Sequence, residues 1–409
     1  MALTPRVPLA PFTVDVPQAT LDDLQQRLRA TRWDSDPDNE DGYYGVSTSY
    51  LRGLVDYWID GFDWRAQERH INRREQYRQD VDGVPVHFFV EPGKGPAPIP
   101  IILSHGWPWS FLDWDHVVSA LADPVAHGGR AEDAFDVVLP SLPGFGYSTP
   151  TSPDMNFWKI ADIWKTLMTD VLGCDRFAAA GSDYGSLVTG QLGHKYADSL
   201  YGIHIGMDLP LDRYNSEQYW GGGRVIPADA SPELRAAYLR YFETYASHFS
   251  AHMLDGQTLT HALNDSPVGL LAWLVQRWRK WSDQRRDFDA VFDRDHVLAN
   301  ATLYWVTGCI GPSIRLYRNS VRYPWAPAHD RRPPIEAPAG FTFLAGDAYP
   351  PGATVETRVE RFETGPTREW FNPVMVEVAP EGGHFTAWEN PEATVEGIRK
   401  TMRELRVEH

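Results

Sequence analysis

Short apolar runs alternate with helical patterns through the middle of the chain. The runs that predict strands lie at residues 99–103, 135–139, 177–180 and 201–205. A hairpin around Asp82-Gly83, flanked by alternating apolar residues, comes before them. Strands that alternate with helices are typical of a mostly parallel sheet covered by helices. The pattern therefore predicts an α/β fold for this part of the chain.

The alternation stops near residue 209. From there to about residue 323 the pattern is helical and rich in aromatic residues, including Trp220, and strands resume at residues 340–344 and 374–378. This arrangement predicts a helical lid inserted between the sixth and seventh strands of the core. The Pro-rich residues 324–338 are expected to form the linker that returns to the core.

The N-terminal residues predict a meander that wraps the main domain. Two amphipathic helices are expected there, because apolar residues recur at helical spacing at Leu21, Leu24 and Leu28 and again at Leu51, Leu54 and Trp58. The predicted organisation thus has four parts. They are the meander at 1–76, the first part of the core at 77–208, the lid at 209–325 and the second part of the core at 326–409.

Composition narrows the class of protein. The 409 residues carry a formal net charge of −17, which disfavours nucleic acid and anionic membrane surfaces as partners. The two cysteines lie far apart in apolar surroundings, so free thiols and a cytoplasmic location are expected. Neither a signal-peptide pattern nor an apolar run of the roughly 20 residues needed for a membrane span is apparent. No metal and no cofactor is expected, and a homodimer is the default expectation for assembly.

The most informative motif is Gly181-Ser182-Asp183-Tyr184-Gly185, which follows the apolar run at 177–180. An elbow of this kind turns sharply from a strand into a helix and presents its central side chain as a nucleophile. A carboxylate that attacks an electrophilic sp³ carbon forms an ester, which water then hydrolyses. We therefore predict that Asp183 is a nucleophile that attacks epoxides or alkyl halides. The motif alone could also be an ordinary glycine-rich turn.

Two further residues follow predicted strands in the order expected for an α/β-hydrolase. Asp347 lies just after the strand at 340–344, and His384 lies on a Gly-rich loop after the strand at 374–378. We predict that His384 activates water and that Asp347 holds its other ring nitrogen. Glu356 is a reserve candidate for the acid.

An oxyanion hole is predicted beside the elbow. The segment His105-Gly106-Trp107-Pro108 follows the strand at 99–103, where parallel strands end at the same edge of the sheet. The backbone N–H groups of Trp107 and Tyr184 are the expected donors to the charge that develops on the aspartyl ester.

These motifs together resemble the microsomal-type epoxide hydrolases over nearly the whole chain. The resemblance begins with the N-terminal segment between Pro11-Phe12 and Gln76-Tyr77 and includes the elbow. It continues through Pro143-Gly144-Phe145-Gly146-Tyr147-Ser148, Asn264-Asp265-Ser266-Pro267-Val268-Gly269 and Gly382-Gly383-His384-Phe385. It implies an α/β-hydrolase fold with a helical lid, an epoxide and water as substrates, and a covalent ester intermediate. It also carries the role of the acid onto Asp347.

The resemblance further implies proton donors from the lid. Tyr317 matches one of two lid tyrosines of the family, whereas the second position falls on His248, a departure from the family pattern. Tyr245, one helical turn earlier, is an alternative donor. Trp109 is a second departure and is expected to narrow the pocket. We predict substrate contacts for His248, Tyr245, Trp109 and His105.

Other functions use related sequences. A haloalkane dehalogenase also has an aspartate nucleophile, but typically a tryptophan follows it, where this chain has Tyr184. An ester or lactone hydrolase would need serine at the centre, and Ser182 is one position away. A non-catalytic relative would need no triad. The aromatic lid suggests a bulky or aromatic epoxide in detoxification or biosynthesis, although aromatic residues are also ordinary core material.

Overall fold

The computed structural model describes residues 3–215, 226–347 and 353–406. Within these residues the centre of the fold is an eight-stranded sheet. Its strands, in chain order, are β1 Glu75–Val81, β2 Val84–Glu91, β3 Ile99–Ser104, β4 Phe135–Pro140, β5 Phe177–Gly181, β6 Leu200–Ile205, β7 Ile335–Leu344 and β8 Phe371–Ala379. Their spatial order is β1-β2-β4-β3-β5-β6-β7-β8. The pairs β1–β2 and β2–β4 are antiparallel, and the other neighbours are parallel.

Helices cover the sheet and form a separate layer above it. Those before β7 are α1 Gln18–Arg29, α2 Thr48–Asp60, α3 Trp64–Ile71, α4 Asp115–Ala122, α5 Phe157–Thr166, α6 Tyr184–Lys195, α7 Pro232–Leu263, α8 Pro267–Trp281, α9 Phe288–Val291, α10 Arg294–Thr307 and α11 Ile310–Arg322. Those after β7 are α12 Val355–Glu363, α13 Thr386–Glu389 and α14 Pro391–Arg406. The prediction of an α/β-hydrolase fold is confirmed.

The predicted core strands are all present. The strands β3, β4, β5 and β6 begin and end within one residue of the predicted bounds, whereas β7 and β8 begin earlier than predicted. β7 starts at Ile335, inside the segment predicted as a linker. Pro338 and Pro373 concealed these starts, because proline cannot donate a hydrogen bond to a neighbouring strand. The sheet tolerates them through register shifts between Ile335 and Pro338 and between Ala339 and Gly340.

The N-terminal segment contacts both the edge strand β1 and the helices between β6 and β7. The indole N–H of Trp58 donates to Thr302 Oγ1 of α10 at 3.0 Å, and both side chains are buried. At the other end of the segment, Phe12 N–H donates to the Gln76 carbonyl. The sequence did not predict α3, although Asp63 caps it by accepting from Ala66 N–H.

The helices α7 to α11 lie between β6 and β7 and are called here the helical insertion (residues 232–322). Its longest helix, α7, has a non-helical residue at Asp255, which divides it into two pieces. Trp220 lies outside the described residues. Across residues 3–215, 226–347 and 353–406, no helix is both long enough and apolar enough to span a bilayer.

The central strands are buried on both faces, and every residue of β3, β4 and β5 is buried. Continuous apolar runs are expected where helices cover both sides of a parallel sheet. The carboxyl ends of parallel strands meet at one edge, which is where open α/β sheets place their ligands. The loops after β3, β5, β7 and β8 therefore converge there.

Candidate active site

The loop after β5 is a strained elbow with Asp183 at its tip. Asp183 has φ 53° and ψ −121°, a left-handed conformation that is uncommon for a residue with a side chain. The flanking glycines are required for close approach. A Cβ at Gly185 would lie 2.1 Å from the Ser104 carbonyl oxygen, and one at Gly181 would lie 2.5 Å from the Gly185 oxygen. The elbow therefore holds the Asp183 side chain at the edge of the sheet.

The two oxygens of Asp183 have different surroundings. Oδ1 accepts a hydrogen bond from the backbone N–H of Trp107 at 2.8 Å. Oδ2 lies 3.1 Å from Nε2 of His384. The loop after β3 can come this close only because Gly106 has no side chain. A Cβ there would lie 2.4 Å from Asp183 Oδ1. The predicted oxyanion-hole donor Trp107 thus already contacts the carboxylate.

Tyr184 follows Asp183 as the first residue of α6. N–H groups in the first turn of a helix have no acceptor within the helix, so α6 itself supplies none for the backbone N–H of Tyr184. Its ring is buried and lies 4.9 Å, between centroids, from the ring of Tyr317.

His384 lies between two carboxylates. Its Nδ1 is 3.5 Å from Asp347 Oδ1, opposite the contact of Nε2 with Asp183. The side chain is 1% exposed. Burial alone would lower its pKa, but the hydrogen bonds and charges of Asp183 and Asp347 raise the pKa of His384 to about 10. The three predicted triad side chains are therefore in contact, and loss of the Asp183 charge would lower this pKa.

Tyr317 of α11 stands over this group. Its side chain is buried, and its ring lies 6.0 Å from that of Trp107. Burial, with a further contribution from the charge of Asp183, raises the pKa of Tyr317 well above 10. The phenol therefore keeps its proton over the whole physiological pH range.

His248 and Tyr245 of α7 occupy different positions around the triad. His248 stacks on Trp107 with 5.7 Å between ring centroids, and burial holds its pKa well below 6.5, so the ring is neutral. The hydroxyl of Tyr245 donates to Asp347 Oδ1 at 3.4 Å. Tyr245 therefore contacts the acid of the triad, a position that does not favour its predicted alternative role as a proton donor.

Two other predicted substrate contacts are placed differently from expectation. His105 is buried, its Nε2 accepts from Leu142 N–H at 3.0 Å, and its Nδ1 lies 3.0 Å from the Gly106 carbonyl oxygen. With both nitrogens engaged, it holds the loop rather than facing a substrate. Trp109 is fully buried with its ring 5.9 Å from that of His384, so it packs behind the histidine.

The reserve acid Glu356 lies away from the triad. Its side chain is exposed on α12 and accepts a hydrogen bond from the Thr354 hydroxyl at 2.7 Å. This position does not support a catalytic role.

The sequence analysis missed His252, one helical turn after His248. The indole N–H of Trp273 donates to His252 Nε2 at 3.0 Å, and the His252 ring lies 4.7 Å from that of Tyr317. Burial holds the pKa of His252 well below 6.5. The i, i+4 spacing from His248 was the available signal, because residues four apart share a helix face.

Glu389, to which the sequence analysis assigned no role, organises the loop that carries His384. Its Oε2 accepts from the N–H groups of Gly383 at 2.9 Å and Asp283 at 2.8 Å, and its Oε1 accepts from Phe385 N–H at 3.1 Å. Burial raises the pKa of this carboxyl to about 7, although the three N–H groups oppose the rise. Asp283 belongs to the segment after α8, so one carboxylate joins the histidine loop to the helical insertion.

The described part of the chain contains no group of three or more His, Cys, Asp or Glu side chains arranged to hold a metal ion.

The sheet and the contacts around Asp183 define the class of protein. A mostly parallel sheet, an elbow nucleophile, and a histidine and acid on later loops define an α/β-hydrolase. The family model for the α/β-hydrolase fold matches residues 99–205 of the sequence. The family model for the epoxide hydrolase N terminus matches residues 9–114.

Similar proteins narrow the class to a family. A Stigmatella aurantiaca protein assigned as an epoxide hydrolase is 36% identical over 97% of this chain and 86% of its own length. Epoxide hydrolase 1 of Oryctolagus cuniculus is 30% identical over 96% of this chain and 88% of its own. The juvenile hormone epoxide hydrolase structure from Bombyx mori has a TM-score of 0.79 at 23% identity, covers 98% of this chain and 96% of its own, and supports the fold. The chain belongs to the epoxide hydrolase family, whose members are hydrolases acting on ether bonds, and the predicted resemblance is confirmed.

The contacts of Glu389 generate a testable prediction. In Glu389→Gln an amide NH₂ must replace one of two oxygens that now accept backbone N–H groups, so at least one buried donor loses its partner. We expect the free energy of unfolding to fall by about 1–3 kcal/mol, the usual cost of such a group. Denaturant titration measures it, with Glu392→Gln as the control, because Glu392 is an exposed glutamate on α14. Equal midpoints for the two variants would contradict the assignment.

Proposed function

We propose that this enzyme opens an epoxide to a vicinal diol through an ester on Asp183. The observation that supports this most directly is the asymmetry of the Asp183 carboxylate. Its Oδ1 is bound by an N–H group of the loop after β3, and its Oδ2 faces His384 Nε2 at 3.1 Å. In this proposal Oδ1 becomes the ester carbonyl oxygen and Oδ2 is the oxygen that attacks.

In the first step Asp183 Oδ2 attacks a ring carbon and one carbon–oxygen bond of the epoxide breaks. The electron pair of that bond stays on the ring oxygen, which takes the phenolic proton of Tyr317. A phenol with a raised pKa is a suitable donor, because an alkoxide is a still stronger base. The resulting ester removes the negative charge from Asp183.

In the second step His384 acts as the base. Esterification removes one of the two carboxylate charges that raise the pKa of His384. The imidazolium then gives up its proton, which restores the Tyr317 phenol, and the neutral imidazole stays oriented by Asp347. Water then attacks the ester carbon and gives its proton to Nε2. The charge on Oδ1 is stabilised by the N–H groups of Trp107 and Tyr184. Collapse breaks the ester bond, and the diol oxygen takes the proton from His384. The acid proton left on Asp183 then passes to His384, which restores the starting carboxylate and imidazolium.

The surroundings of the triad bear on the alternatives. A haloalkane dehalogenase would use an indole N–H after the nucleophile, whereas the Tyr184 ring packs against Phe157 at 4.6 Å. A non-catalytic relative would not require the contacts among Asp183, His384 and Asp347. The aromatic rings around Tyr317 favour a bulky or aromatic epoxide, and detoxification or biosynthesis remains part of the proposal.

Location and assembly belong to the proposal as well. Cys174 and Cys309 are buried free thiols, which fits a reducing cytoplasm. A homodimer remains a prediction.

Substitution of the base tests the two-step mechanism. In His384→Gln the ester should form but decay very slowly, because alkylation needs no base and ester hydrolysis does. Intact-mass measurement after mixing with styrene oxide should show an adduct of one substrate mass per chain, lost in the control His384→Gln/Asp183→Asn. A variant without any adduct that nevertheless binds the epoxide would contradict the assigned role of His384.

Tyr317→Phe tests the proton donor. Removal of the hydroxyl should slow alkylation by about 10²–10⁴-fold, the usual contribution of general acid catalysis. A donor that lost its proton near pH 6.5 would make the rate fall as pH rises, but His248 and His252 are neutral and Tyr317 keeps its proton. Pre-steady-state alkylation should therefore show no fall centred near the ordinary histidine pKa of about 6.5. A fall there that disappears in His248→Gln would instead make His248 the donor.

A further inference from the structure

Arg277 of α8 is a buried cation without a carboxylate partner in the described residues. It is 3% exposed, and its Nη1 donates a hydrogen bond to the hydroxyl oxygen of Ser247 at 2.9 Å. Its guanidinium lies 4.9 Å from the centre of the Trp273 ring, and its Nε has no acceptor. Arginine is almost never fully buried unless it is paired, because an uncompensated buried charge is costly. Burial lowers the pKa of Arg277 to about 10.

The neighbours of Arg277 on α8 both reach the active site. Trp273, Arg277 and Trp281 are spaced four residues apart and share one helix face. Trp273 donates to His252, and the Trp281 ring lies 5.0 Å from that of His384. Arg277 is thus the middle residue of a stripe whose two ends contact the site. Its charge also contributes to the lowered pKa values of His248 and His252.

Other donors on this side of the site also lack acceptors. Because His252 Nε2 accepts from Trp273, the neutral ring carries its proton on Nδ1, which has no partner. The indole N–H of Trp107 is likewise buried without an acceptor, and its ring lies 4.5 Å from that of His252. Buried donors in native proteins are normally satisfied, so a cluster of unmatched donors calls for an acceptor-rich ligand.

We propose that Arg277, with the N–H groups of His252 and Trp107, forms a subsite for a carboxylate of the substrate. The preferred substrates are then aryl or alkyl epoxides that carry an acid group away from the ring. A carboxylate would supply two acceptor oxygens and a negative charge to pair with the guanidinium of Arg277. This inference rests on the proposed function, because it concerns the same site.

The experiment compares matched epoxides. The value of kcat/KM is measured for meta- and para-carboxystyrene oxide and for their methyl esters, with wild type, Arg277→Met, Arg277→Lys and Arg279→Gln. Arg279 is the control, because it lies on the same helix with its guanidinium 4.4 Å from the centre of the Tyr50 ring. Wild type should prefer at least one acid over its ester by about 10- to 100-fold, the range for a hydrogen bond to a charged group. Arg277→Met should lose this preference through KM, Arg277→Lys should keep part of it, and Arg279→Gln should keep it.

The outcomes separate this inference from the proposed function. Equal turnover of acids and esters by wild type, or equal losses on both in Arg277→Met, would overturn the subsite and leave the epoxide hydrolase mechanism intact. If none of the four epoxides is turned over, the proposed function fails on these substrates, and binding then decides the inference. Calorimetry with 3-phenylpropanoate and its methyl ester should show tighter binding of the acid to wild type but not to Arg277→Met. Equal binding of acid and ester to wild type would overturn the subsite.

Discussion

The site depends on the close approach of the loop after β3 to the elbow after β5. Asp183 can receive the Trp107 N–H at 2.8 Å only because Gly106, Gly181 and Gly185 leave no side chain between the two loops. The strained backbone at Asp183 is maintained by the strand and helix on either side, which are buried and cannot relax separately. This single contact fixes which carboxylate oxygen faces the Trp107 N–H and which one faces His384.

The remaining elements hold that contact in place. His105 uses both ring nitrogens to hold its own loop, and Glu389 gathers three N–H groups around the His384 loop. The helical insertion contributes Tyr317 from above and is joined to the same loop at Trp281, whose carbonyl accepts the His384 backbone N–H at 2.9 Å. In the proposed mechanism the charge of Asp183 couples the two chemical steps, because its loss on esterification would change the basicity of His384.

The sequence was sufficient to predict that residues following the strand ends would lie close together. Asp183, Asp347 and His384 could be predicted because parallel strands finish at one edge, and Tyr317 because its motif matches the family. The first residues of β7 and β8 could not be predicted, because Pro338 and Pro373 disfavour a strand unless the register shifts. The surroundings of Tyr245, His105 and Trp109 depend on side-chain directions that spacing does not determine. Glu389 and Arg277 are informative only through their burial and partners, which a single sequence does not reveal.

The central claim is that the diol takes its new oxygen from Asp183 and not directly from water. A single turnover in ¹⁸O-labelled water, with enzyme in excess over styrene oxide, measures this by mass spectrometry of the diol. If Asp183 supplies the oxygen, the diol of the first turnover should be unlabelled, and the label should appear instead in the peptide that contains Asp183. Label at full stoichiometry in first-turnover diol would contradict the ester mechanism.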